Sequence, residues 1–392
     1  MRTRKGTFLI ILITAVVTAI ITNAVKDILN FTETASLSPK ISAVVNIIKN
    51  KCIYDVDYEK MTDYALIGIT AATNDPYTAY YGKTDFAVYR DDIASSYVGI
   101  GATIGPDTET GCIRIIATME NSPSEQAGIK SGDIIKAIDG TPYTSVQLSE
   151  AATYLKKGDE GTEVTVRIER DGEERDITLA RAKIIKKNVK SKMLENNSGY
   201  IRINEFDMGV AGESKDTYEE FCEHLSALKM AGMTSLILDL RDNPGGDFDI
   251  VCKIADKLLP EALITYTEDK EGKREDKKSD ADGIDVPMAV LINGGSASAS
   301  EILTGALKDN EKATVIGTKS YGKGIVQSVY GFTDGSGLSV TTARYYTPKG
   351  VCIHGIGIEP DIEVQLDSKK SISDMTIEED TQLKKALETL SR

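Results

Sequence analysis

Histidine is nearly absent from this chain: 392 residues include two, His224 and His354, and neither has the local context of a catalytic triad. A serine hydrolase built on this sequence therefore needs a base other than imidazole, and lysine is the usual substitute. Cysteine is sparse as well. Five are scattered (Cys52, Cys112, Cys222, Cys252 and Cys352) with no C-x-x-C pair. Their spacings fit no zinc site, and an odd number leaves at least one unpaired in a monomer, so buried free thiols are expected. Basic residues are outnumbered, 46 Lys and Arg against 60 Asp and Glu, for a formal net charge of −14. That balance argues against a general nucleic-acid binder, whose surface must neutralise phosphates. Asp239, Asp242, Asp247 and Asp249 lack the glycine and glutamate positions of an EF-hand loop. Gly322-Lys323-Gly324 lacks the upstream glycine and following hydroxyl residue of a P-loop. No metal, nucleotide or other cofactor is expected.

What is present is ordinary in bulk and specific in detail. A hydrophobic content of 41% and a charged content of 27% suit a folded protein, and the length suffices for two domains plus extensions. At the N-terminus Arg2, Arg4 and Lys5 precede an uncharged apolar run over 7–25, about the length that spans a bilayer. This pattern predicts a single-pass cell-membrane anchor with a cytoplasmic tip and an extracytoplasmic body. A cleaved signal peptide and a secreted body is the alternative, but no clear small-x-small cleavage site follows the run. The run is apolar all round, which argues against a buried soluble helix.

The chemistry concentrates further on. An apolar run over 287–292 reads as a buried strand, and Ile302, Leu303, Ala306 and Leu307 recur at helical spacing. Between them stands Asn293-Gly294-Gly295-Ser296-Ala297-Ser298-Ala299-Ser300-Glu301. A small-residue turn between strand and helix can expose a serine hydroxyl beside helix amides. Downstream lies Tyr321-Gly322-Lys323-Gly324, where a lysine between glycines can approach such a site unobstructed. The combination points to a Ser-Lys hydrolase. The three alternating serines leave the nucleophile open: Ser300 with Glu301 also fits helix-start chemistry, and Ser296 could bond within the turn.

Over nearly its whole length the sequence resembles the C-terminal processing peptidases, or tail-specific proteases. The resemblance rests on Asp75-Pro76-Tyr77-Thr78-Ala79-Tyr80, a PDZ-like region and Gly199-Tyr200-Ile201-Arg202-Ile203. It continues through Leu238-Asp239-Leu240-Arg241-Asp242-Asn243-Pro244-Gly245-Gly246 and the serine and lysine segments. It closes with Thr342-Ala343-Arg344-Tyr345-Tyr346-Thr347-Pro348 and Gly357-Ile358-Glu359-Pro360-Asp361. The resemblance implies an α/β multidomain fold and a serine endopeptidase acting on proteins or peptides with exposed C-terminal or unstructured tails. It implies Ser298 as nucleophile, Lys323 as general base and Gln327 as the residue that orients the lysine. On an extended strand Lys323 and Gln327 would lie roughly 13 Å apart, so direct contact requires a turned segment. A free lysine titrates near about 10.4, and a base working near neutrality needs a lowering equivalent to about 4 kcal/mol, on the scale of desolvating an ammonium. The backbone N–H of Ala299 is one expected oxyanion donor. The second is expected from Gly245 or Gly246, between which the sequence does not choose, with Asp239 and Arg241 bracing the turn.

Five regions follow: a tip and transmembrane anchor over 1–30, helices over 31–95, a PDZ-like domain over 96–186, a protease core over 187–365, and a C-terminal segment over 366–392, with 372–390 read as one helix. Glu268 to Asp282 reads as an exposed loop or hairpin. In the PDZ-like unit Gly99, Ile100 and Gly101 are placed to offer amides to a peptide's terminal carboxylate, and 147–155 reads as the helix lining the groove. Relatives carry Arg-Gly-x-x-Gly-Thr after that helix. Here Lys157 replaces the arginine, keeping its charge and losing its planar fork. The N-terminal helices and the C-terminal segment are candidates for homo-oligomer contacts.

Overall fold

The computed structural model describes residues 37–93, 96–107, 110–210, 212, 214–280, 282–366, 372 and 375–391. The apolar run over 7–25, and with it the expected anchor, lies outside them. Among the described residues no helix is long and apolar enough to cross a membrane.

The chain divides into two units, Met1–Ile69 and Thr70–Arg392. The first holds α1 (Leu37–Lys51) and α2 (Tyr58–Ala71), whose last residues enter the second unit. On α1 the recurring Ile41, Val44 and Ile47 are exposed.

The second unit opens with β1 (Ala79–Tyr81) and α3 (Lys83–Ile93). A β-rich module then runs through β2 (Ser96–Gly99), β3 (Ala102–Pro106), β4 (Ile113–Thr118), α4 (Pro123–Gln126), β5 (Ile134–Ile138) and β6 (Thr141–Pro142). It continues with α5 (Leu148–Lys156), β7 (Glu163–Arg170), β8 (Glu173–Ala180) and β9 (Ala182–Ile185). Strand alternation buries Ile113 and Ile115, Val164, Val166 and Ile168 in one core. Asp171 and Gly172, both at positive φ, close the β7–β8 hairpin in the conformation that Asp-Gly favours. The sheet runs β3-β4-β5-β7-β8 with β6 paired to β5, so β3 is an edge strand. β2 and β9 pair as a separate antiparallel ribbon.

The remaining residues build a layered α/β core. It contains β10 (Val189–Met193), β11 (Ser198–Ile203), α6 (Thr217–Met230), β12 (Ser235–Asp239), α7 (Phe248–Leu258), β13 (Leu263–Asp269), β14 (Arg274–Lys278) and β15 (Met288–Ile292). It ends with α8 (Ala299–Asp309), β16 (Ala313–Gly317), β17 (Ile325–Gly331), β18 (Gly337–Tyr346), β19 (Ile362–Glu363) and α9 (Thr381–Leu390). The central sheet has the order β10-β11-β12-β15-β16-β19 and is parallel from β11 to β19. Every residue of β12 and β15 is buried, because helices cover both faces of such a sheet. Leu236, Leu238, Val290 and Ile292 pack with α6, α7 and α8. Ile237, Ala289 and Leu291 face the opposite way, onto Leu383, Ala386 and Leu387 of α9. A second, antiparallel sheet joins β1, β18, β13 and β14, with β17 on β18. Its β13–β14 hairpin accounts for much of the charged stretch, and all of β14 is exposed.

Two expectations are corrected. The C-terminal helix starts at Thr381, not near 372: the Asp380 carboxylate accepts the Leu383 N–H at 2.9 Å and caps it there. All five cysteines are free, but only Cys252 is buried; Cys52 is exposed and the others half-exposed.

Candidate active site

β12 and β15 are neighbouring parallel strands, so the loops leaving their C-terminal ends lie side by side, where open α/β sheets place their sites. The flanking serines stitch these loops together. Ser296 Oγ donates to the Leu240 carbonyl at 2.7 Å, and Ser300 Oγ donates to the Asn243 carbonyl at 2.9 Å. Ser298 stands between them, half-exposed at the start of α8, and its hydroxyl donates to nothing among the described residues. Its backbone adopts φ 55° and ψ −115°, a conformation L-residues avoid unless the surroundings enforce it.

Enforcement comes from Glu301, which is 1% exposed. One carboxylate oxygen accepts the Ser298 N–H at 2.9 Å and the Lys323 N–H at 2.8 Å. The other accepts the Gly322 N–H at 2.7 Å and the Ser320 hydroxyl at 2.6 Å. Four donors on one buried carboxylate match its lone pairs and fasten the lysine loop to the start of α8. On the opposite side the Tyr345 hydroxyl, 3.0 Å from the Ser298 carbonyl oxygen, also bonds the Lys323 carbonyl. Burial, with the Glu301 charge nearby, pushes the Tyr345 phenol well above its ordinary pKa, so it stays a neutral donor.

The glycines beside the lysine serve close backbone packing. A Cβ at Gly324 would lie 2.5 Å from the His354 nitrogen, and one at Gly322 would lie 2.9 Å from the Gly357 nitrogen. The lysine side chain is half-buried, and its Nζ lies 4.7 Å from the centroid of the Tyr77 ring, over its face. Burial lowers its pKa, with the Asp75 carboxylate opposing the shift. Among the described residues Lys323 Nζ makes no hydrogen bond or ion pair, so Ser298 and Lys323 are joined through their backbones and not side chain to side chain.

Gln327 lies on β17, where its amide donates to Thr341 Oγ1 at 3.4 Å; it has no hydrogen bond to Lys323. The register of β17 on β18 shifts between Val326 and Gln327, so this strand is not straight. His224 pairs with Ser191 and His354 is exposed.

The 243–246 turn lies against the serine. A Cβ at Gly245 would sit 2.7 Å from the Ser298 Cβ and 3.0 Å from the Ala299 nitrogen. The Gly245 N–H is committed to Asn243 Oδ1 at 2.9 Å. The Gly245 carbonyl accepts from Phe206 N, which turns the Gly246 N–H of the same peptide the other way. Among the described residues neither Gly246 N–H nor Ala299 N–H has an acceptor. Arg241, fully buried, braces this turn: its guanidinium bonds Asp239, Asp380 and Gln382. Asp239 also accepts from Tyr200 and Arg202. The bracing by Asp239 and Arg241 is readable in sequence; its third member, Asp380, lies 139 residues from Arg241 and carries no local signal.

In the β-rich module α5 flanks the open edge of β3. Gly99 ends β2, and Ile100 and Gly101 connect it to β3 with Gly101 at φ 70°. Neither the Ile100 nor the Gly101 N–H has an acceptor among the described residues. Lys157 is exposed and makes no side-chain hydrogen bond or ion pair among the described residues. Arg181 instead holds this corner. Buried, it donates to the Tyr154 and Leu155 carbonyls at the end of α5, to Thr162 Oγ1 and to the Glu163 carbonyl. Among the described residues no group of three or more His, Cys, Asp or Glu side chains could hold a metal ion.

Comparison with known proteins agrees with this architecture. The model of peptidase family S41 matches residues 197–364, and that of the PDZ domain matches residues 96–180. A CtpA-like serine protease of Staphylococcus aureus (strain MSSA476) is 35% identical over 372 residues, covering 94% of this chain and 73% of that protein. The structure of the photosystem II D1 C-terminal processing protease matches with a TM-score of 0.54 at 29% identity, over 80% of this chain and 84% of the other. An S41 protease from Bacteroides fragilis NCTC 9343 matches with a TM-score of 0.60 at 20% identity, over 87% and 92%, and shares the fold.

Proposed function

As the chain belongs to the C-terminal processing peptidases of family S41, serine peptidases with a PDZ domain, we propose that it cleaves extracytoplasmic protein tails with Ser298 as nucleophile and Lys323 as general base. The observation that carries the assignment is the fate of the three serines. Ser296 and Ser300 spend their hydroxyl protons joining the two loops, while among the described residues neither the Ser298 hydroxyl proton nor the Ala299 amide next to it has an acceptor.

In this mechanism the Lys323 side chain leaves the Tyr77 ring and takes the Ser298 proton as Oγ attacks the peptide carbonyl. Burial favours the neutral amine that this step requires. The oxyanion receives hydrogen bonds from Ala299 N–H and Gly246 N–H, neither of which has an acceptor among the described residues; Gly245, with its own N–H committed, supplies the clearance. Lys323 then returns the proton to the leaving amine, and water, deprotonated by the same lysine, hydrolyses the acyl-enzyme. Gln327, four residues along, orients the amine once it has turned towards the serine; the irregular start of β17 supports that contact. No cofactor enters the scheme.

Substrate tails add as a strand to the open edge of β3 beside α5, their terminal carboxylate taken by the amides at Ile100 and Gly101, next to Gly99. Lys157, exposed beyond α5, lends positive charge to that end of the groove. The apolar run over 7–25 anchors the protein in the cell membrane, and the exposed Ile41, Val44 and Ile47 of α1 support pairing with a second copy.

Ser298→Ala and Lys323→Ala should each lower kcat/KM on a tail peptide by about 10⁴-fold or more, with circular dichroism unchanged. Full activity in Ser298→Ala would refute the nucleophile. Amidating the peptide's C-terminus should weaken its binding; equal affinity for both forms, measured by titration calorimetry, would leave the groove without a carboxylate site.

A further inference from the structure

The backbones of Ser298 and Lys323 converge twice, once on the Glu301 carboxylate through their N–H groups and once on the Tyr345 hydroxyl through their carbonyls. We propose that Tyr345 is a positioning residue of the active site, its phenolic proton holding the lysine loop at the distance from Ser298 at which base and nucleophile can meet. The inference rests on the Ser298–Lys323 assignment above.

A phenol has one proton to give, and here two carbonyl oxygens share it. The two are not equally dependent on it. The Ser298 carbonyl already accepts the Glu301 and Ile302 N–H groups in the first turn of α8. The Lys323 carbonyl has the Tyr345 hydroxyl as its one donor among the described residues. Without the hydroxyl, the Ser298 carbonyl keeps its two helix donors, while the Lys323 carbonyl is left with no donor among the described residues. The serine cannot yield, because Ser296, Ser300 and Glu301 pin its turn. The lysine segment is therefore the side that moves away.

The tyrosine itself is well anchored. It is 2% exposed, lies near the end of β18, and its own N–H donates to the Gly324 carbonyl at 3.1 Å, one residue past the lysine. Its ring thus sets the spacing and its hydroxyl closes it. Its bonds go to Ser298, Lys323 and Gly324 and to no residue of the proposed β3–α5 groove, so loss of the hydroxyl should appear in the chemical step and not in substrate affinity.

Tyr345→Phe removes one oxygen and keeps the ring. It should lower kcat ten- to a hundredfold while KM changes less than twofold, and slow inactivation by a serine-directed phosphonate in proportion. Replacing Tyr345 by 4-aminophenylalanine, which offers an N–H to each carbonyl, should restore kcat to within threefold of the parent. A folded phenylalanine variant with kcat within twofold of the parent would overturn the proposal, as would an equal rise in KM that accounts for the loss. Should the phenylalanine variant fail to fold, the 4-aminophenylalanine protein carries the test alone: folded but tenfold slower, it contradicts the inference. Ser298→Ala and Lys323→Ala run alongside. If either stays active the dyad itself fails; if both are dead and Tyr345→Phe is not slowed, only the positioning role falls.

Discussion

The backbone around Ser298 and the side chain of Lys323 are held in opposite ways. The serine turn is over-determined: two flanking hydroxyls, a four-donor carboxylate and a phenol fix a φ that the residue would otherwise avoid. The lysine shares that frame through its own N–H and carbonyl, yet among the described residues its amine makes no hydrogen bond or ion pair and rests over the Tyr77 ring. A strained nucleophile turn needs many bonds to persist. A base that must take and return a proton needs few, since each hydrogen bond to its charged form would oppose the neutral amine. The contrast describes a rigid frame with one movable group.

The contrast can be broken first at the frame. Gly245→Ala drives a Cβ into the Ser298 Cβ and the Ala299 nitrogen at a position with φ 111°. It should lower kcat by about 10²–10³-fold, the scale of a lost oxyanion donor. Steady-state kinetics on a tail peptide would show it, and a kcat near the parent value would mean that the oxyanion is bound elsewhere. A smaller effect, on stability, is expected where α9 is tied to the same turn. Asp380→Ala strips a carboxylate from the buried Arg241 and the cap from α9. Breaking a buried pair this way costs about 3–5 kcal/mol, and because Asp239 still pairs with Arg241 the lower end is expected in a urea titration.

The smallest effect sharpens the other half of the comparison. Burial lowers the Lys323 pKa, so the folded state holds its proton less firmly than the unfolded chain does. Stability therefore rises with pH from the lowered folded pKa up to the unfolded one, about 10.4. Lys323→Met should raise the melting temperature at neutral pH, and the gain should shrink as pH approaches about 10.4. A Lys323→Met protein less stable than the parent at neutral pH would mean that the amine is held more firmly than the Tyr77 contact implies.

The parts legible in sequence are those whose cause is local. β12 and β15 are continuous apolar runs because both faces of the central sheet are covered, and Asp171-Gly172 marks a hairpin by its own conformational preference. The small-residue turn at 293–301 and the glycines at 245 and 246 were readable because close backbone approach admits little else. The braces were not. Glu301 reads as ordinary helix-start chemistry until the lysine loop is seen on it, and Tyr345 meets Ser298 from 47 residues away. Asp380 ends the last helix earlier than periodicity suggests because its carboxylate both caps the helix and binds Arg241. Lys157 departs from the relatives' motif, yet the buried guanidinium at that corner belongs to Arg181, beyond two intervening strands. For Gln327 the role comes from the resemblance alone; local spacing asks for a turned segment, and here the residue sits on β17 just past a register shift, with its amide on Thr341.

The central claim, a serine nucleophile dependent on a lysine base, is tested most directly by mapping a phosphonate adduct. The full-length protein and its Lys323→Ala form would be treated with a serine-directed fluorophosphonate, digested and sequenced by mass spectrometry. The account predicts one adduct, on Ser298, formed at neutral pH in the parent and lost in the Lys323→Ala form. An adduct on Ser296 or Ser300, or undiminished labelling of Ser298 without the lysine, would contradict it.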